Sequence, residues 1–114
     1  MNIAIYCGSS LGNNKIYEEQ TKVLAQKLAE KNLNIVYGGS LQGLMGVISN
    51  ESLKHNNTVT GVITYDLVSK ELENPNITKI HKVNTMDERK QMMEDLADAF
   101  IAIPGGYGTF EEIF

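Results

Sequence analysis

A chain of 114 residues is long enough for one domain with a modest core, and no stretch of it reads as a linker to a second domain. Its formal net charge of -4 argues against a nucleic-acid binder that works by neutralising phosphates, although a local basic patch can still hold one nucleotide. The single cysteine, Cys7, excludes an internal disulfide and no Cys/His cluster has metal-ligand spacing. The start of the chain lacks the basic lead of a signal peptide and no apolar run has membrane-spanning length, so a cytoplasmic setting without a membrane partner is expected.

In chain order, strand-like and helix-like patterns alternate. Asn2–Cys7 reads as a first strand, with Gly8-Ser9-Ser10 as the turn after it. Lys15–Lys31 has helical spacing, with Tyr17, Leu24 and Leu28 on one face and Glu18, Lys22 and Lys27 elsewhere. Asn34–Tyr37 is the second strand and runs straight into Gly38-Gly39-Ser40, after which Leu44–Lys54 is expected to be helical. Thr58–Ile63 reads as a third strand, and Tyr65–Pro75 as an exposed loop with a helical turn. Lys79–Val83 is a short fourth strand. Thr85–Asp98 is a helix that Thr85 can cap, with Glu88 at the third position. Ala99–Ile103 reads as a short buried strand, which Pro104 ends by removing a backbone donor. This alternation predicts an α/β fold, a Rossmann-like doubly wound parallel sheet with helices on both faces. The last residue, Phe114, falls only a few positions into the helix that the final turn opens. A single nucleotide-binding domain over 1–114 is therefore expected to be incomplete at its C-terminus.

The chemistry concentrates in three strand-to-helix turns: Gly8-Ser9-Ser10; Gly38-Gly39-Ser40, leading to Gly43-Leu44-Met45-Gly46; and Gly105-Gly106-Tyr107-Gly108-Thr109. In an open parallel sheet all three fall at the carboxyl edge, where ligands bind. Glycines there let the backbone approach a ligand, and a helix starting near Thr109 would aim its unpaired N–H groups at an anion. The same residues have a plainer reading, because Thr109-Phe110-Glu111-Glu112 also matches a capping box. None of the turns is a Walker motif or a complete dinucleotide fingerprint, which favours a mononucleotide or sugar phosphate over ATP or NAD. Arg89 and Lys90 lie in the first turns of the 85–98 helix, near the same edge. A planar guanidinium suits phosphate or ribose, while a solvated charged face paired within the helix is the alternative. Met45, Ile48, Met92 and Met93 fit either a core or a subunit interface. His55 and His81 stand alone, with no role assigned.

Taken together, Cys7-Gly-Ser-Ser10, Tyr37-Gly-Gly-Ser40 with Gly43-Leu-Met-Gly46, Met86-x-x-Arg89-Lys90 and Pro104-Gly-Gly-x-Gly-Thr-x-x-Glu112 resemble, in order and spacing, the LOG (LONELY GUY) family. Its members are cytokinin riboside 5'-monophosphate phosphoribohydrolases, long labelled as possible lysine decarboxylases. The resemblance covers the whole chain, and family members run on past Phe114. It implies that Arg89 and Glu112 form the catalytic pair and that Gly105, Gly106, Tyr107, Gly108 and Thr109 hold the 5'-phosphate. Gly8, Ser9, Gly39, Ser40, Lys90 and Glu111 would line the substrate site, and Glu71 falls where the family places another substrate-contacting acid. Asp87 stands where plant members often carry histidine, a departure that bears on base preference. The resemblance also implies a homodimer with sites near the subunit interface.

The implied reaction is hydrolysis of (N6-substituted) adenosine 5'-monophosphate to free base and ribose 5-phosphate. Its transition state is an oxocarbenium-like ribose, which a carboxylate such as Glu112 can stabilise or for which it can activate water. No motif for a Schiff-base lysine is present, so no cofactor is expected. A non-catalytic nucleotide- or phosphate-binding module is the alternative reading.

Overall fold

The structure is a computed structural model that describes residues 1–7, 15–70 and 72–103. Five strands and four helices alternate: β1 (Asn2–Tyr6), α1 (Lys15–Glu30), β2 (Asn34–Tyr37), α2 (Gly43–Lys54), β3 (Val59–Thr64), α3 (Tyr65–Ser69), β4 (Lys79–Val83), α4 (Met86–Leu96) and β5 (Ala99–Ala102). The strands form one sheet in the order β4-β3-β2-β1-β5, and every pairing is parallel. The winding reverses between β1 and β5, so β1 is the strand at which the chain changes direction across the sheet.

The central strands read as unbroken apolar runs because both faces of the sheet are covered. Ile3, Ile5, Cys7, Ile35, Tyr37 and Val59 face one way, against Ala25 and Leu28 of α1 and Leu44, Met45 and Ile48 of α2. Ala4, Tyr6, Val36 and Val62 face the other way, against Met93 of α4. Met45, Ile48 and Met93 are therefore core residues, and only Met92 is left partly buried at the rim. This is the α/β, helices-on-both-faces arrangement expected from the alternation.

Two helices end by the same local device. Asn32 sits at φ 56° and Asn56 at φ 61°, the left-handed conformation that asparagine tolerates better than most residues. At each site the following N–H reaches back five residues: Leu33 N–H to the Leu28 carbonyl at 2.9 Å and Asn57 N–H to the Ser52 carbonyl at 3.0 Å. That closes the helix and turns the chain into the next strand.

Two expectations need correction. The helical turn expected within 65–75 is present as α3 (Tyr65–Ser69), but the rest of the segment is not simply an exposed loop. Tyr65 is 54% exposed, but Asn74 is only 1% exposed, and Leu72–Asn74 pairs with the turn after β2 through Leu41 N–H to the Leu72 carbonyl (3.0 Å) and Asn74 N–H to the Gly39 carbonyl (2.8 Å). Nor is β5 a buried strand: among the described residues it is an edge. Phe100 is 55% exposed and stacks on Tyr6 with ring centroids 6.0 Å apart. The smaller differences are of one or two residues at element ends, as at β3, which begins at Val59 and includes Thr64.

Candidate functional site

The carboxyl edge of the sheet is where α4 begins, and its cap decides where Arg89 stands. Thr85 has an extended backbone and its Oγ1 accepts the Glu88 N–H at 3.1 Å, while the Glu88 carboxylate accepts the Asn84 N–H at 3.5 Å. This is the cap expected from Thr85 and Glu88, with the glutamate reaching one residue further back than the usual reciprocal bond. The helix then runs back across the sheet, and Met93, one turn beyond Arg89, seats it on Val36 and Val62. Arg89 is thereby turned towards the sheet instead of solvent.

Arg89 is 5% exposed, so the solvated charged face is not its environment. Its Nε donates to the Val62 carbonyl of β3 at 2.8 Å and its Nη2 to the Gly38 carbonyl, just past β2, at 3.1 Å. Nη1 lies 3.9 Å from the Met86 sulfur. The guanidinium thus lies just past the end of β2 and alongside β3, held by carbonyl oxygens that a cation suits better than a neutral donor would. Lys90, one position on, is half-buried. Adjacent helical residues point about 100° apart, so the two cations do not converge.

Gly39 and Ser40 follow Gly38, the residue that Arg89 contacts, in the turn after β2. Gly39 takes φ 80°, a conformation that costs a side-chain-bearing residue energy and that glycine adopts freely. Ser40 is buried, and its Oγ accepts the Gln42 N–H at 2.9 Å. A pin beneath the turn escaped the sequence reading. Tyr37 is fully buried and its hydroxyl donates to the Ser40 carbonyl at 3.0 Å. Burial pushes its pKa up to about 12, although hydrogen bonds with Ser49 and Asn74 pull the other way. It is therefore a neutral structural donor at ordinary pH. Asn74 completes the pin, its Nδ2 donating to Ser49 Oγ at 2.9 Å and to Asn50 Oδ1 at 3.0 Å. The one hint in the sequence was Asn74-Pro75, a turn-forming pair whose burial no local pattern records.

The structure therefore brings together Arg89, Gly39 and Ser40 at one edge of the sheet. Gly8, Ser9, Glu71, Gly105, Gly106, Tyr107, Gly108, Thr109, Glu111 and Glu112 lie outside the described residues. Among the described residues, no group of three or more His, Cys, Asp or Glu side chains could hold a metal ion, and no helix is long and apolar enough to cross a membrane. A buried guanidinium at the carboxyl edge, next to the positive end of α4, is a place that attracts an anionic group.

Residues 45–114 match the family model described as "Possible lysine decarboxylase". The chain is 45% identical over 111 residues to the cytokinin riboside 5'-monophosphate phosphoribohydrolase LOG2 of Arabidopsis thaliana, covering 97% of this chain and 52% of that protein. It is 38% identical over 114 residues to the cytokinin riboside 5'-monophosphate phosphoribohydrolase of Rhodococcoides fascians, covering 99% of this chain and 58% of that one. The chain thus spans about half the length of these relatives. Among solved structures, the molybdenum cofactor binding protein of Rippkaea orientalis superposes with a TM-score of 0.81 at 17% identity, over 98% of this chain and 67% of that chain. At that identity the likeness speaks for the fold alone.

Proposed function

The chain belongs to the LOG family, whose model carries the lysine decarboxylase description, and from that membership we propose that it hydrolyses the N-glycosidic bond of adenosine 5'-monophosphate or an N6-substituted form of it. The products are the free base and ribose 5-phosphate. The observation that carries this reading is the Arg89 guanidinium, buried and fixed by the Val62 and Gly38 carbonyls at the ligand-binding edge of the sheet. A cation held this way before substrate arrives needs no reorganisation during the reaction, which is what electrostatic stabilisation requires.

In the proposed reaction the C1'–N9 bond breaks and its electron pair leaves with the base, which takes up a proton. Glu112 supports the cationic ribose and takes a proton from the attacking water, whose oxygen joins C1'. Arg89 anchors the phosphorylated sugar and balances charge as the bond opens. The turn from Gly105 to Thr109 holds the 5'-phosphate, with Gly8, Ser9, Gly39, Ser40, Glu71, Lys90 and Glu111 around the nucleotide. Holding the phosphate fixes the ribose against its catalytic groups and makes the attack effectively intramolecular. We read 1–114 as part of one nucleotide-binding domain, incomplete at its C-terminus, that acts in the cytoplasm as a homodimer.

The test is chromatographic detection of free base and ribose 5-phosphate from AMP and from N6-isopentenyl-AMP, with Arg89→Ala and Glu112→Gln alongside. Activity that both variants abolish is the expected result; activity that survives in both would sink the assignment. Calorimetric binding of AMP without turnover would instead favour a non-catalytic nucleotide-binding module.

A further inference from the structure

We propose that Gly38 is a positioning residue for Arg89: the missing side chain at this position is what lets the guanidinium lie just past the end of β2 and alongside β3. A β-carbon built on Gly38 would overlap Nη2 of Arg89 outright, and would stand 3.2 Å from its Cζ and 2.9 Å from the Met45 sulfur. Each of these atoms belongs to a flexible side chain, none to the backbone. Among the described residues the glycines at positive φ are Gly39 and Gly43 and do not include Gly38, so its backbone makes no demand for glycine. The demand comes from above and below, from a helix on each face of the sheet.

Its neighbours differ in kind. Gly39 is required by its left-handed backbone. At Gly46 a β-carbon would run into the carbonyl of Leu41, so substitution there disturbs the main chain. The paired glycines after β2 thus divide the work: the second shapes the turn, and the first leaves room for the cation. A methyl at 38 can be accommodated by moving the ends of Arg89 and Met45. That movement gives up the 3.1 Å bond to the Gly38 carbonyl and swings the guanidinium away from the site. The consequence for turnover rests on the proposed phosphoribohydrolase reading, whereas the consequence for Arg89 itself does not.

The experiment uses the 114-residue chain and its Gly38→Ala, Arg89→Ala and double variants. By NMR, the Arg89 Nε–H of the unaltered protein is expected to be slow to exchange, as a buried donor to Val62 should be, and to lose that protection in Gly38→Ala while the backbone amide spectrum is largely kept. Release of ribose 5-phosphate is expected to fall about 10²-fold in Gly38→Ala, as for an ångström-scale misplacement. Should Gly38→Ala fold poorly, the thermal stability it loses should be much smaller in an Arg89→Ala background, because the overlap with Arg89 is then gone. A protected Nε–H in Gly38→Ala, undiminished release of ribose 5-phosphate by Gly38→Ala, or equal stability losses with and without Arg89 would each overturn the proposal. If the unaltered chain releases no product, the functional reading falls, and the exchange and stability measurements still decide the role of Gly38.

Discussion

On the proposed reading Arg89 has two jobs that a single substitution cannot separate cleanly. Its Nε and Nη2 satisfy the carbonyls of Val62 and Gly38, and deleting one partner leaves buried acceptors without the other. Arg89→Ala is therefore expected to lower stability by about 1–3 kcal/mol as well as to abolish turnover. Arg89→Lys should recover only part, because a point-like ammonium cannot reach two carbonyls as a planar fork does. Urea titration of the three proteins checks this, and unchanged midpoints would contradict it. Tyr37 gives a prediction with a definite sign. Its pKa rises from 10.0 to about 12 on folding, so on raising the pH the unfolded chain loses this proton first. Its contribution is whole below pH 10 and declines between pH 10 and 12, by about 2–3 kcal/mol at most. Tyr37→Phe should show a shallower loss of stability across that window; parallel curves would refute the assignment. The Met86-x-x-Arg89-Lys90 motif marked Arg89 in the sequence as a candidate site residue. That it is buried was not legible, because helical spacing gives the face of a residue but not what lies opposite.

The element ends were the most readable part of the chain. Thr85 with Glu88 announced the start of α4, and the bond from the Glu88 N–H to Thr85 bears it out. Thr85→Ala is expected to cost about 1 kcal/mol and to weaken the site as well, since the cap holds the turn that carries Arg89. Thermal melts set beside product release would show both effects or neither. The helix-ending asparagines can be tested against each other. Asn32→Gly and Asn56→Gly should be neutral to slightly stabilising, whereas alanine at either position should cost about 1–2 kcal/mol for its left-handed backbone. Equal effects of glycine and alanine would mean that the observed φ angles of 56° and 61° impose no such cost. The stretch from Tyr65 to Pro75 was the least readable. Its composition is that of a surface loop, and Asn74 is buried only because Ser49, Asn50 and Gly39 come to meet it from elsewhere in the chain.

Across the whole molecule, β1 sits between β2 and β5 while β4 and β5 are the outer strands of the described sheet. Amide exchange should accordingly be slowest in β1 and β2 and fastest in β4 and β5, because opening an edge strand exposes less of the core. Protection in β5 equal to that in β1 would show that further structure covers it. By itself, the sequence determined the alternating pattern, the parallel sheet that follows from it and the family to which the chain belongs. These features depend on periodicity and on residue types at fixed short spacings, which the chain carries locally. Only the tertiary structure decided that Arg89 is buried against the end of β2 and against β3, that Gly38 leaves room for it and that Tyr37 and Asn74 pin the turn after β2. Apart from the bond of Tyr37 to Ser40, three positions away, those contacts join residues distant along the chain, 25 positions for Asn74 with Ser49 and 51 for Arg89 with Gly38. Such partners are chosen by how the helices settle on the sheet, which no local pattern encodes.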